Sequence, residues 1–218
     1  PLRLVGSEMC IRDRIKDMED LKSINADFFP AILKTRKLGY DGKGQYIVNS
    51  SKEIPEIPKN DYILEKKINL QQEISIIAVR YQDGTIFTYQ PIENVHKDQI
   101  LFKSYSPANS NQSIIEEAKN HAVNFAKKIN YVGTFCLEFF ITDKNELLLN
   151  EIAPRVHNSG HLTIESYNVS QFESHLRSVC DLEKIKPLLR YKSEMTNILG
   201  EDIYCLLYTS DAADDLLC

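Results

Sequence analysis

The stretch VGTFCLEFFITDKNELLLNEIAPRVHNSGH, residues 132 to 161, decides how this chain folds. Two apolar runs, Val132 to Phe140 and Leu147 to Leu149, flank the polar run Thr142-Asp143-Lys144-Asn145. Strand, polar turn and strand predict a hairpin. The first strand carries a carboxylate, Glu138, in apolar surroundings. The second ends on Asn150 and Glu151 and runs into a loop with Arg155 and His157. A tight hairpin centred between Lys144 and Asn145 sets Glu138 opposite Glu151 on one face. Facing like charges destabilise a sheet. A divalent cation between them reverses the sign, and Mg²⁺ favours one or two carboxylates plus phosphate oxygens. A solvated carboxylate at a strand end is the plain alternative. The arginine and histidine beside the acids favour the metal.

Working outward, the 218 residues are 43% hydrophobic and 26% charged, with net charge −5. That is an ordinary globular composition, enough for one large or two small domains. No apolar run approaches the ~18 residues of a membrane helix, and no signal-peptide pattern is visible. The acidic balance argues against a broad nucleic-acid surface.

Both ends differ in character from the middle. RLVGSEMCIRD (3 to 13) and CLLYTSDAADD (205 to 215) continue no neighbouring periodicity. They resemble translated sequencing-library adapter, so residues 1–13 and 205–218 are set aside and fold reasoning is confined to 14–204. Cys10, Cys205 and Cys218 fall in those ends. Cys136 and Cys180 remain, both in apolar patterns, and read as core thiols in a reducing cytoplasm.

Residues 14 to 25 read as the last helix of a preceding unit. Strands are predicted at Pro30 to Lys34, Gln45 to Val48 and Tyr62 to Glu65, with a Pro-containing connection from Ser50 to Asn60. Glu73 to Tyr81 and Thr85 to Tyr89 form a hairpin about Asp83-Gly84. Residues 112 to 129 form an amphipathic helix whose stripe is Ile115, Ala118, Ala122, Phe125, Ala126 and Ile129. Ser170 to Cys180 reads as a second, with Phe172, His175, Leu176 and Val179 on its face. Antiparallel hairpins between helices make an α+β fold.

Three further constellations bear on function. Lys34 leads into a glycine loop of Gly39, Tyr40, Asp41, Gly42, Lys43, Gly44 and Gln45. Such a loop turns backbone N–H groups toward phosphate, although a plain hairpin with solvated lysines has the same residues. It is neither a P-loop nor a dinucleotide fingerprint, because a strand follows it. Glu65, Lys66, Lys67 and Ile68 end a short strand, with Glu73 beyond. On the residues alone, both glutamates read as surface charges. His96 reads as structural or solvated. His157 and His161 lie in a Pro/Gly loop with no further soft ligand nearby, which disfavours zinc. Ser159 lacks a nucleophile-elbow context.

Together LKTRKLGYDGKGQ (33 to 45), ILEKKI (63 to 68) with Glu73, ENVH (93 to 96), NEIAPRVHNSGH (150 to 161) and SQFESHLR (170 to 177) resemble the ATP-grasp ligases. Within them the chain is most similar to the N5-carboxyaminoimidazole ribonucleotide synthetase family. The resemblance covers nearly all of residues 14 to 204. It implies an ATP-grasp fold, with a small lid portion over 14–66 and a larger portion over 67–204. It implies an ADP-forming ligation of ATP, bicarbonate and 5-aminoimidazole ribonucleotide, through carboxyphosphate, in purine biosynthesis.

The resemblance also distributes roles. Lys34 and the loop from Gly39 to Gln45 would cover the ATP phosphates. Glu65, Lys66, Lys67 and Ile68 would form the adenine hinge. Glu73 would hold the ribose and His96 would sit beside the nucleotide. Glu138 and Glu151, with Asn150 near, would hold Mg²⁺. Tyr40, Lys43, Arg155 and His157 would meet bicarbonate and the ribonucleotide, with Arg155, His157 and Lys43 catalytic. The family's N-terminal domain and C-terminal segment have no counterpart here, so weak Mg–ATP binding without turnover is expected of this chain alone. The full-length enzyme is expected to pair with a second copy. A formate-using or biotin-carboxylating ATP-grasp relative, and a non-catalytic nucleotide-binding module, are the rival readings.

Overall fold

A computed structural model describes residues 12–15, 18–35, 44–50, 52, 62–97, 100–198, 200 and 203. Nearly all of both terminal segments lies outside these residues, as do Arg36 to Lys43 and most of the Ser50 to Asn60 connection. The described residues form two antiparallel sheets that divide between Lys66 and Leu70.

The first sheet has four strands: β1 (Arg12–Ile15), β2 (Ala31–Thr35), β3 (Gln45–Val48) and β4 (Tyr62–Lys66), in the order β1-β4-β2-β3. Where the sequence suggested a helix from residue 14, a strand runs to Ile15 and a short helix, α1 (Met18–Ser23), follows. Arg12 and Asp13, assigned above to the terminal segment, pair with Glu65 and Leu64. Strand alternation sends Ala31, Leu33, Tyr62 and Leu64 into a small core with Ile15, Phe28 and Val48. Ile32 and Lys34 fall on the opposite face.

The second sheet contains β5 (Leu70–Arg80), β6 (Ile86–Thr88), β7 (Ile92–Lys97), β8 (Ile100–Ser106), β9 (Gly133–Thr142), β10 (Leu147–Ala153) and β11 (Ser193–Thr196). Its order is β10-β9-β5-β7-β8-β11, with β6 on β5. β5 is apolar on both faces because both are covered. Ile74, Ile76 and Ala78 meet the long helix α2 (Gln112–Ile129), while Ile77 meets Cys136, Tyr89, Leu162 and Tyr167 on the other side. The α2 stripe packs as the periodicity requires, through Ile115, Ala118, Ala122 and Ala126, although Ile129 is exposed. Asn111 caps its start through the Ser113 N–H, and Asn130 ends it in the left-handed conformation. These are standard helix stops.

Two short elements follow: α3 (Thr163–Ser166) and α4 (Gln171–Val179). The α4 face differs from the apolar stripe expected. Gln171, Ser174 and Ser178 are buried, whereas Leu176 and Val179 are exposed. Polar partners explain the reversal: the Tyr89 hydroxyl lies 2.7 Å from Ser174 Oγ, and Ser178 Oγ donates to His175 O. Cys136 is a core thiol, but Cys180 is exposed, because it stands at the end of α4 rather than on a packed face.

Candidate functional site

Glu151 does face Glu138 across β10 and β9, and Glu138 in turn faces Ser75 on β5. The row Glu151–Glu138–Ser75 therefore crosses three strands on one face. The register arises in an unexpected way. Leu147, Leu148 and Leu149 pair with Ile141, Phe140 and Phe139, so the hairpin is centred one half-residue earlier than assumed. A bulge at Asn150 then shifts the pairing by one and restores Glu151 to Glu138. Bulges re-aim side chains in this way near functional sites. Asn150 Nδ2 donates to Glu138 Oε2 at 3.5 Å, bracing the acid beside the bulge.

The consequence is electrostatic. Burial, and then the charge of Glu151, push the Glu138 carboxyl up to about 7. A buried carboxylate facing a second one is poorly solvated in either ionised arrangement, and a divalent cation relieves both problems. The donor set suits a hard cation completed by phosphate oxygens, with two carboxylates and a nearby amide oxygen. Among the described residues no group of three or more acidic, His or Cys side chains could hold an ion unaided.

Two histidines flank the acids. His96, on β7, places Nδ1 2.7 Å from Glu73 Oε2. Burial opposes its charge, but the Glu73 hydrogen bond and the charges of Glu73 and Glu138 prevail and raise its pKa. His157 places Nε2 3.5 Å from Glu138 Oε1. Burial, then the charges of Arg155, His161 and His96, lower it to about 4, so it is neutral at pH 7. The two rings thus stand in opposite protonation environments about one carboxylate.

Behind His157 runs a buried polar chain that sequence reading missed. Its Nδ1 lies 2.9 Å from Ser159 Oγ, which donates to Ser75 Oγ at 3.1 Å. Asn94 Nδ2 also donates to Ser75 Oγ, and Ser104 Oγ donates to Asn94 Oδ1 at 3.0 Å. All four supporting side chains are buried. The one available signal was Ser75 itself, a hydroxyl inside the apolar run of β5.

The first sheet supplies the facing wall. Lys34 and Glu65 sit diagonally on β2 and β4, and Lys34 Nζ meets Glu65 Oε2 at 2.7 Å. The Lys67 N–H is taken up by Pro30 O at 2.8 Å, which ties the linker between the sheets to the first of them. A cleft of about 650 Å³ lies between the walls. It gathers Lys34, Gln45, Glu65, Lys66, Lys67, Ile68, Glu73, His96, Glu138, Asn150, Glu151, Arg155 and His157. Its apolar lining of Ile32, Leu70, Ile100, Leu101 and Phe140 had no sequence signature separating it from core. Gly44 closes a turn at φ +78°, with its N-terminal neighbours of the glycine loop, Gly39 to Lys43, outside the described residues. A cleft that combines apolar side chains with convergent acids and cations has the character of a small-molecule site.

Known proteins resemble this chain in sequence and in fold. Residues 9–172 match the model of the ATP-grasp domain. The N5-carboxyaminoimidazole ribonucleotide synthase of Bacillus subtilis strain 168 is 37% identical over 207 residues, covering 93% of this chain and 54% of that protein. A crystal structure of an N5-carboxyaminoimidazole ribonucleotide synthetase in complex with ADP superposes with TM-score 0.88 at 33% identity, over 96% of this chain and 56% of the other. The Aspergillus clavatus enzyme in complex with ADP and 5-aminoimidazole ribonucleotide gives TM-score 0.79 at 30% identity, over 87% and 52%. The chain spans about half the length of the relatives it matches. With three quarters of its residues inside the matched model, the chain belongs to the ATP-grasp family.

Proposed function

We propose that this chain is the nucleotide- and metal-holding portion of an ADP-forming ligase that carboxylates 5-aminoimidazole ribonucleotide in the cytoplasm, during purine biosynthesis. The observation that carries this reading is one cleft that combines a facing acid pair with Arg155 and His157. The names of the relatives, including one solved with ADP and the ribonucleotide, support it.

In this reading Glu65, Lys66, Lys67 and Ile68 form the adenine hinge, the ribose meets Glu73, and His96 is held by Glu73 beside it. Lys34 and the loop from Gly39 to Gln45 cover the phosphates. Glu138 and Glu151 would hold Mg²⁺, which neutralises charge on the phosphate oxygens. Bicarbonate oxygen attacks the γ-phosphorus and ADP leaves, giving carboxyphosphate. The exocyclic amine then takes the carboxyl carbon, directly or as CO₂; phosphate leaves and the amine loses a proton. Arg155 offers a planar fork suited to bicarbonate, with Tyr40 and Lys43 meeting the same substrates. Neutral His157 can accept a hydrogen bond or a proton from them. Phosphoryl transfer of this kind depends chiefly on positioning and charge. A homodimer is the assembly proposed for the intact enzyme.

Transfer of ¹⁸O from labelled bicarbonate to phosphate, in the intact enzyme containing this chain, tests the proposal. Label in phosphate, dependent on the ribonucleotide, is the expected result. Formate dependence, or ATP cleavage without label transfer, would replace it with a rival ligase reading.

A further inference from the structure

The segment SQFESHLR, residues 170 to 177, has no role in the site described above. Gln171 opens α4 and is fully buried. Its side-chain amide meets the backbone of His157 on both sides. The His157 N–H donates to Gln171 Oε1 at 2.9 Å, and Gln171 Nε2 donates to His157 O at 2.6 Å. Its own main chain is tied as well: the N–H donates to Thr163 Oγ1 at 2.9 Å, and the carbonyl accepts from Thr134 Oγ1 at 3.1 Å.

Thr134 lies on β9, the strand that carries Glu138. His175 Nδ1 accepts the Thr134 N–H at 3.1 Å, so α4 grips that residue twice. One buried amide therefore connects the loop bearing Arg155 and His157 to the strand bearing the acid. Space has been left for it: a Cβ on Gly160 would stand 2.6 Å from Gln171 Oε1. An apolar side chain of similar volume would avoid desolvating an amide, yet would leave two backbone groups of His157 without their present partners.

We propose that Gln171 is a positioning residue, whose paired hydrogen bonds fix the His157 backbone, and with it the Arg155–His157 arm, against the Glu138 strand. The structural claim stands alone; its effect on turnover rests on the carboxylation reading.

Gln171→Met and Gln171→Leu test it by amide hydrogen exchange, read beside global unfolding. The His157 amide should exchange roughly tenfold faster or more in both variants, while β5 and α2 amides keep their relative protection. In the intact enzyme, kcat per folded molecule, with the folded fraction measured separately, should fall roughly tenfold or more while KM for Mg–ATP stays within about twofold. Unchanged His157 protection in a folded variant overturns the proposal. So does a loss of activity explained wholly by the unfolded fraction. Should both variants fail to fold, the wild-type chain decides: the Gln171 side-chain amide protons should exchange slowly and show nuclear Overhauser contacts to His157, and fast exchange without those contacts refutes the clamp. A wild-type enzyme without bicarbonate-dependent ATP cleavage would overturn the carboxylation reading, while the exchange data would still judge the clamp.

Discussion

The two walls of the cleft hold their polar groups by different means. In the four-stranded sheet, Lys34 and Glu65 hold one another at 2.7 Å across strands that pack on a small core. In the larger sheet, Glu138 lines the cleft and is surrounded by Asn150, His157 and Glu151, with Ser75 beside it on β5. The first wall compensates its charges internally. The second leaves facing acids uncompensated and spends buried hydrogen bonds on orientation. Under the proposed function, this contrast would put the cation on the second wall and make the first a cover for the bound nucleotide.

The largest expected effect concerns Glu138. In the metal-free chain its folded pKa is raised from the ordinary carboxylate range to about 7. The folded state therefore holds a proton that the unfolded state has lost, and this contribution to stability fades as pH rises through that window. Glu138→Gln removes the term. It should stabilise the metal-free chain at pH 7.5 by up to about 3 kcal/mol and change little at pH 4.5. His157 contributes in the opposite sense, because its lowered pKa makes stability fall on acidification toward about 4. The wild type should thus vary weakly between those pH values, while the variant loses stability on acidification. Urea midpoints at the two pH values check both statements.

Close packing under the second wall predicts a somewhat smaller effect. A Cβ on Gly160 would lie 2.1 Å from Ile77 Cδ1. Gly160→Ala should cost about 1–3 kcal/mol by the same denaturation assay. On the first wall, Lys34→Met removes the cation beside Glu65. The lysine is only 27% exposed and the glutamate 7%. The loss should be about 1–2 kcal/mol, with a fall in Mg–ATP affinity of roughly tenfold measured by calorimetry. Equal sensitivity of the two walls to these changes would erase the distinction between them.

The smallest effect tests α4. Leu176 is 59% exposed. Leu176→Ala should change stability by no more than about 0.5 kcal/mol, whereas a packed leucine would lose about 2–5 kcal/mol.

That substitution also marks the boundary of what the sequence makes legible. The α2 stripe could be read because alanines and isoleucines at helical spacing have one use, a packed face. α4 has the same spacing but buries a glutamine and two serines, because their partners, His157, Tyr89 and His175, come from remote segments or from backbone geometry. Glu138 and Glu151 could be paired from turn length, yet the pairing depends on a bulge at Asn150 that no periodicity reveals. Glu65 and Glu73 read as surface charges until β2 brought Lys34 to one and β7 brought His96 to the other. Strand β7, and with it the placement of His96, was hidden because IENVHK alternates only weakly. Candidate site residues with a distinctive local string were accessible; those defined by contacts across the fold were not.

Electron paramagnetic resonance of Mn²⁺ in the presence of ATP tests the central claim most directly, using the wild-type chain and the variants Glu138→Gln and Glu151→Gln. The account predicts that wild type immobilises the ion together with the nucleotide, and that either substitution weakens this at least roughly tenfold. Equal immobilisation by all three proteins would contradict the claim that these two facing acids hold the metal.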